Sequence, residues 1–99
     1  MHAFDVLGDP VRRRILELLT DGELPSGTIT AIVQAEFGIS QPAVSQHLRV
    51  LRQAGLVTAE RVGTRHVYRA DPRGLAELRA YFDDFWNDAL DAYKREVER

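Results

Sequence analysis

The chain contains no cysteine. That one absence removes disulfide frameworks, thiolate metal sites and cysteine nucleophiles. No apolar run approaches the roughly 20 residues that a membrane-spanning helix requires. The opening residues, MHAFDVLGD, lack the basic start and long apolar stretch of a secretory signal. Both absences lead to the expectation of a cytoplasmic protein with no membrane partner. There is no glycine-rich phosphate loop and no G-x-S-x-G elbow, and no histidine stands at catalytic spacing from a carboxylate. The expectation is therefore neither an enzyme nor a cofactor carrier. Histidines are few and scattered, at His2, His47 and His66, so a histidine zinc cluster has little support. What is present is a composition of 44% hydrophobic and 28% charged residues, ordinary for a folded chain. Ninety-nine residues leave room for one core, which predicts a single domain over 1–99.

The net charge of −2 conceals a segregation. Residues 40–70 hold Arg49, Arg52, Arg61, Arg65 and Arg69 against the single acid Glu60, a local +4 that leaves −6 for the remainder. A polyanion responds to the face presented to it, so such a stretch suits nucleic acid despite the overall sign. Arginines that merely solvate a surface would look the same by charge alone.

Residues 1–7 read as a short helix with Phe4 and Leu7 on one side, too short to stand alone. Asp9 and Pro10 form a helix start, cap followed by first-turn proline, and Val11, Ile15, Leu18 and Leu19 then repeat at helical spacing up to Asp21-Gly22. Ser26 is the predicted cap of a third helix carrying Ile29, Ile32, Val33 and Phe37, closed by Gly38. Ser40 caps a fourth, over 40–54, with Pro42 in its first turn and Val44, Leu48 and Leu51 on one stripe, ended by Gly55. Alternation over 56–70 about a Gly63-Thr64 turn predicts a two-stranded hairpin, and Asp71-Pro72 starts a last helix over 72–97. The order is mainly α with a small β-hairpin. Two short helices around a glycine turn, followed by a hairpin, match a winged helix-turn-helix with recognition helix 40–54 and wing 56–70.

Projected at 100° per residue, the 40–54 helix turns Pro42, Gln46 and Arg49 away from its core stripe, with Gln41 and Ser45 on the flank. Glutamine pairs bidentately with adenine, serine adapts as donor or acceptor, and arginine suits guanine or phosphate. An idle solvent face would favour Glu and Lys instead. The candidate DNA-contacting set is Ser40, Gln41, Pro42, Ser45, Gln46 and Arg49, with Arg61 and Arg65 from the wing. His47, beside the apolar stripe, is expected to be a partly buried, hydrogen-bonded imidazole, and His66 an exposed one. A winged helix can also serve as a protein-interaction module, but such a surface would carry apolar residues here.

Three segments carry a family resemblance: LGDPVRRRILELL at 7–19, SQPAVSQHLRVLRQAGLV at 40–57 and GTRHVY at 63–68. They resemble the opening, the recognition helix with first wing strand, and the wing of ArsR-type bacterial regulators. The resemblance covers nearly the whole chain and implies a homodimeric repressor bound to double-stranded operator DNA, an inverted repeat. Wings of that family often place Arg directly after the glycine, whereas here Thr64 follows Gly63 and the arginine is Arg65. Metal-sensing relatives use paired cysteines on the third helix, or His and Asp on the last. Here 28–36 has neither Cys nor His, and the last helix has Asp83, Asp84, Asp88 and Asp91 without histidine. Carboxylates alone suit hard cations, so no transition metal is expected and the acids read as a solvated face. The chain thus resembles the cysteine-free autorepressor branch, which implies no obligatory effector.

Leu75, Leu78, Tyr81, Phe82, Phe85, Trp86, Ala89, Leu90, Tyr93 and Val97 make the last helix apolar over a wide, aromatic-rich stripe. Aromatics concentrate in interface cores. The expectation is dimerisation through the terminal helices, with Phe4, Leu78, Phe82, Phe85, Trp86, Ala89 and Tyr93 at the contact. A small-molecule pocket among Phe82, Phe85 and Trp86 is the alternative use of the same stripe.

Overall fold

The computed structural model describes residues 2–98. The elements are α1 (Ala3–Val6), α2 (Pro10–Thr20), β1 (Leu24–Pro25), α3 (Ser26–Phe37), α4 (Gln41–Gln53), β2 (Val57–Val62), β3 (Arg65–Ala70) and α5 (Pro72–Val97). Their boundaries follow local chemistry. Asp9 Oδ1 accepts from the backbone N–H of Val11 (2.8 Å) and Arg12 (3.3 Å), which fixes the start of α2. Asp71 repeats the device at α5, accepting from the N–H of Arg73 at 3.0 Å. Gly38 closes α3 in the left-handed conformation (φ 67°), where a side chain would be strained.

Four expectations need correction. The first helix is shorter than 1–7: it begins at Ala3, Met1 lies outside the described residues, and His2 is the cap, Nδ1 accepting from Phe4 N–H at 3.0 Å. Ser26 does not cap α3. Pro25 occupies that position because it is held in β1, so Ser26 is already helical and makes no capping bond. Leu16 rather than Leu18 joins the buried stripe of α2, which is covered from two sides by α3 and α4. Finally, the expected hairpin of β2 and β3 forms but is extended by a third strand. Leu24 and Pro25 pair antiparallel with Tyr68 and Val67, giving the order β1-β3-β2.

The core gathers Val6, Ile15, Leu19, Ile29, Val33, Val44, Leu48, Leu51, Leu56 and Val57, with no buried polar or charged side chain among the described residues. Each such residue removed from water contributes about 1.5–3 kcal/mol. The start of α5 is pressed against the turn after α4: a Cβ at Gly74 would stand 1.8 Å from the Gly55 carbonyl oxygen. Leu75 and Leu78 still touch the core, but α5 has no buried residue. Its 26 residues span roughly 39 Å. They stretch the molecule to 62 × 28 × 23 Å and a radius of gyration of 16.6 Å, against about 13 Å for a compact chain of this length.

Candidate nucleic-acid interface

Ser40 Oγ accepts from Ala43 N–H at 3.3 Å, so α4 begins one residue later and Gln41 projects from its first turn. Val44, Leu48 and Leu51 anchor the opposite side in the core, which fixes the rotation of the helix. That rotation leaves Gln41, Pro42, Ser45, Gln46 and Arg49 exposed. Gln41 and Ser45 line a polar groove of about 430 Å³ with Ser26, Thr30 and Gln34 of α3 and His66 and Tyr68 of β3. The groove is therefore walled by both helices and the wing, and no carboxylate of the described residues lines it. Beyond it, Thr64, Arg65 and His66 meet the start of α3 around a second polar depression.

The cations near this face are not equivalent. Arg69 is paired with Glu23 (2.7 Å) and Glu60 (3.6 Å), which removes it from the basic set of residues 40–70. Arg61 folds back on the wing turn, its Nε donating to the Gly63 carbonyl at 3.2 Å. Arg49, Arg52 and Arg65 make no ion pair among the described residues and are exposed. Arg49 and Arg52 border one depression at the far end of α4, and Arg65 stands across the groove on the wing. The expected DNA-contacting residues thus divide four ways: Ser40 at the cap of α4, Gln41 and Ser45 in the groove, Pro42, Gln46 and Arg49 on the outer side of α4, Arg61 and Arg65 on the wing. His66 and Thr30 join the groove walls. Sequence spacing does not signal Thr30, because its place depends on how α3 packs on α4.

His47 is half-buried, with Nδ1 3.4 Å from Arg12 Nη1, the hydrogen-bonded surroundings expected of it. Among the described residues no group of three or more His, Asp or Glu could hold a metal ion, and no helix is long and apolar enough to cross a membrane.

The second notable surface is apolar. Phe4 of α1 lies 5.6–6.2 Å from the ring centroids of Tyr81, Phe82 and Phe85, and Phe82 stacks on Trp86 at 6.3 Å and 6°. Even so, Phe85 and Trp86 remain 51% and 54% exposed and Tyr93 67%, an apolar stripe that the described residues leave uncovered. An apolar cavity of about 460 Å³ lies between α1 and α5, lined by Phe4, Leu7, Leu75, Leu78 and Phe82. Phe85 and Trp86 do not line it.

A helix pair joined by a glycine turn, with a β-wing on its flank and a polar, carboxylate-free groove between them, defines a winged helix-turn-helix domain. Residues 7–60 match the helix-turn-helix domain family. The chain is 44% identical over 97 residues to the HTH-type transcriptional regulator Rv2034 of Mycobacterium tuberculosis, covering 98% of this chain and 87% of that protein. It superposes with a TM-score of 0.76 and 48% identity on the crystal structure of a possible transcriptional regulator for arsenical resistance, over 93% of this chain and 92% of the other. The homodimeric winged helix-turn-helix DNA-binding domain Mb0332 of Mycobacterium bovis, a possible ArsR-family regulator, superposes at 0.63 with 31% identity, over 85% and 74%. The chain belongs to the ArsR-type winged helix-turn-helix transcriptional regulators, which act on DNA.

Proposed function

We propose that the protein is a cytoplasmic homodimeric repressor that reads an inverted-repeat operator and blocks transcription of its own or neighbouring genes by occupying it. The observation that carries this reading is the groove between α3, α4 and the wing, lined by no carboxylate of the described residues, with Arg65 beside it and Arg49 further along α4, neither of them ion-paired among the described residues. Gln41, Ser45 and Gln46 meet base edges in the major groove, where amides and hydroxyls discriminate bases. Ser40 and Pro42 set the helix entry. Arg49, Arg61 and Arg65 take phosphates, which position the protein without reading sequence.

The same proposal places α5 and α1 at the dimer contact, through Phe4, Leu78, Phe82, Phe85, Trp86, Ala89 and Tyr93. It is supported by the uncovered aromatic stripe and by the homodimeric state of the Mycobacterium bovis domain. The partner's helix then covers the cavity between α1 and α5, in preference to a small molecule. No transition metal and no catalytic step enters this account.

A salt titration of operator binding tests it. The logarithm of affinity should fall linearly with the logarithm of salt concentration, by about 0.9 per phosphate neutralised. An affinity that stays constant from low to moderate salt would contradict the assignment.

A further inference from the structure

Arg12 occupies the first turn of α2 and reaches two other elements at once. Its Nε–H donates to the Val6 carbonyl, at the end of α1, at 2.6 Å. Its Nη1 stands 3.4 Å from Nδ1 of His47, on α4, immediately after Gln46 and two residues after Ser45. A guanidinium has only hydrogens to offer, so in a hydrogen bond between the two groups Nδ1 is the acceptor. Arg12 makes no ion pair among the described residues, unlike neighbouring Arg14, so charge pairing does not account for its position.

Resting on the proposed reading of DNA by α4 and dimerisation by α1 and α5, we infer that Arg12 is a positioning residue for operator recognition. One planar group fixed to the end of α1 sets where His47, and with it the reading half of α4, stands relative to the dimer contact. The 2.6 Å bond anchors the guanidinium. The 3.4 Å contact is a long, weak hydrogen bond that orients the imidazole rather than clamping the helices together. Val6 is fully buried and α1 packs on α5 through Phe4, so the anchor belongs to the dimer side of the molecule. Lysine cannot replace this residue, since one ammonium cannot meet both acceptors in a fixed fork.

The test uses the full chain as wild type, Arg12→Lys, His47→Leu, His47→Asn and the Arg12→Lys/His47→Leu double variant. Each is titrated at one salt concentration against an operator duplex selected from genomic fragments and against a random duplex. Sedimentation and melting run alongside. Arg12→Lys, which keeps the charge, and His47→Leu are each expected to lower the preference for operator about tenfold. Random-duplex affinity and dimer mass should not change. The double variant should lose no more than the worse single one. His47→Asn, whose Oδ1 can accept near the position of Nδ1, should recover to within about threefold of wild type. Losses that multiply in the double variant, or His47→Asn behaving like His47→Leu, overturn the inference. Should Arg12→Lys unfold, the two His47 variants decide alone, because they leave the Val6 bond intact. A wild type without operator preference overturns the DNA-reading proposal and this inference with it. A selective wild type with equally selective variants overturns this inference only.

Discussion

Gln46 and Arg65 are both exposed near the groove, yet their chemistry assigns them different tasks. An amide can match two edge atoms of adenine, so Gln46→Ala should cost about 1–3 kcal/mol on the operator and little on random duplex. On the proposed reading Arg65 meets phosphate whatever the sequence, so Arg65→Ala should weaken both duplexes and reduce the salt slope by about 1. Competition binding with the two duplexes checks the pair. Equal losses for Gln46→Ala would move base reading elsewhere. A different residue pair governs acid stability. Arg14 grips Glu36 through Nε and Nη2 at 2.8 and 2.9 Å, linking α2 to α3. Those hydrogen bonds hold the Glu36 carboxyl below its ordinary value; desolvation opposes them and the charge of Arg14 adds to them. A carboxyl lowered in the folded state stabilises the fold above the ordinary glutamate range, and that contribution is lost as pH falls through the folded value. The melting-temperature gap between wild type and Glu36→Gln should therefore be widest at neutral pH and close on acidification. Because the pair is exposed, the gap should be small and should shrink with salt. A gap independent of pH would assign the bond no role.

At the scale of elements, the contact between Gly74 and Gly55 gives a prediction opposite to helix propensity. Replacing a helical glycine by alanine ordinarily gains about 1 kcal/mol. Here the new methyl would meet the Gly55 carbonyl at 1.8 Å, and backbone cannot rotate away. Gly74→Ala should thus lose about 1–3 kcal/mol or more, read as a lower denaturant midpoint, as α5 lifts off the body. A raised midpoint would mean that α5 is free to slide. This contact could not be read in the sequence, because a close approach between residues 55 and 74 is a tertiary fact. Neither could β1: two residues, one of them proline, display no alternation, and their pairing partners lie over forty positions away. Ser26 misled for the same reason, its cap position having been taken by a proline that belongs to that strand. The helix ends were legible where one residue decides them locally, by its side chain at Asp9, Ser40 and Asp71 and by its left-handed backbone at Gly38. So was the exposed face of α4, because burial of Val44, Leu48 and Leu51 fixes its rotation. The charge pattern was legible only in part: Arg69 looked available until Glu23 and Glu60 were found beside it.

For the whole molecule, the elongated shape and the uncovered stripe of α5 lead to the same conclusion. From Tyr81 onward no residue of α5 joins the buried core, and Trp86, still 54% exposed, stacks on Phe82 of its own helix. Pairing with a symmetry mate would hide the aromatics in an isologous contact and set two α4 helices about 34–36 Å apart, one DNA turn. Reading and assembly are then a single property. The most direct test is the sedimentation mass of the complex formed with an inverted-repeat operator duplex at micromolar protein, measured for wild type and Trp86→Asp. The account predicts two wild-type chains per duplex, and a folded Trp86→Asp monomer that no longer forms the complex. One wild-type chain bound tightly to the duplex, or a Trp86→Asp protein that remains dimeric, would contradict it.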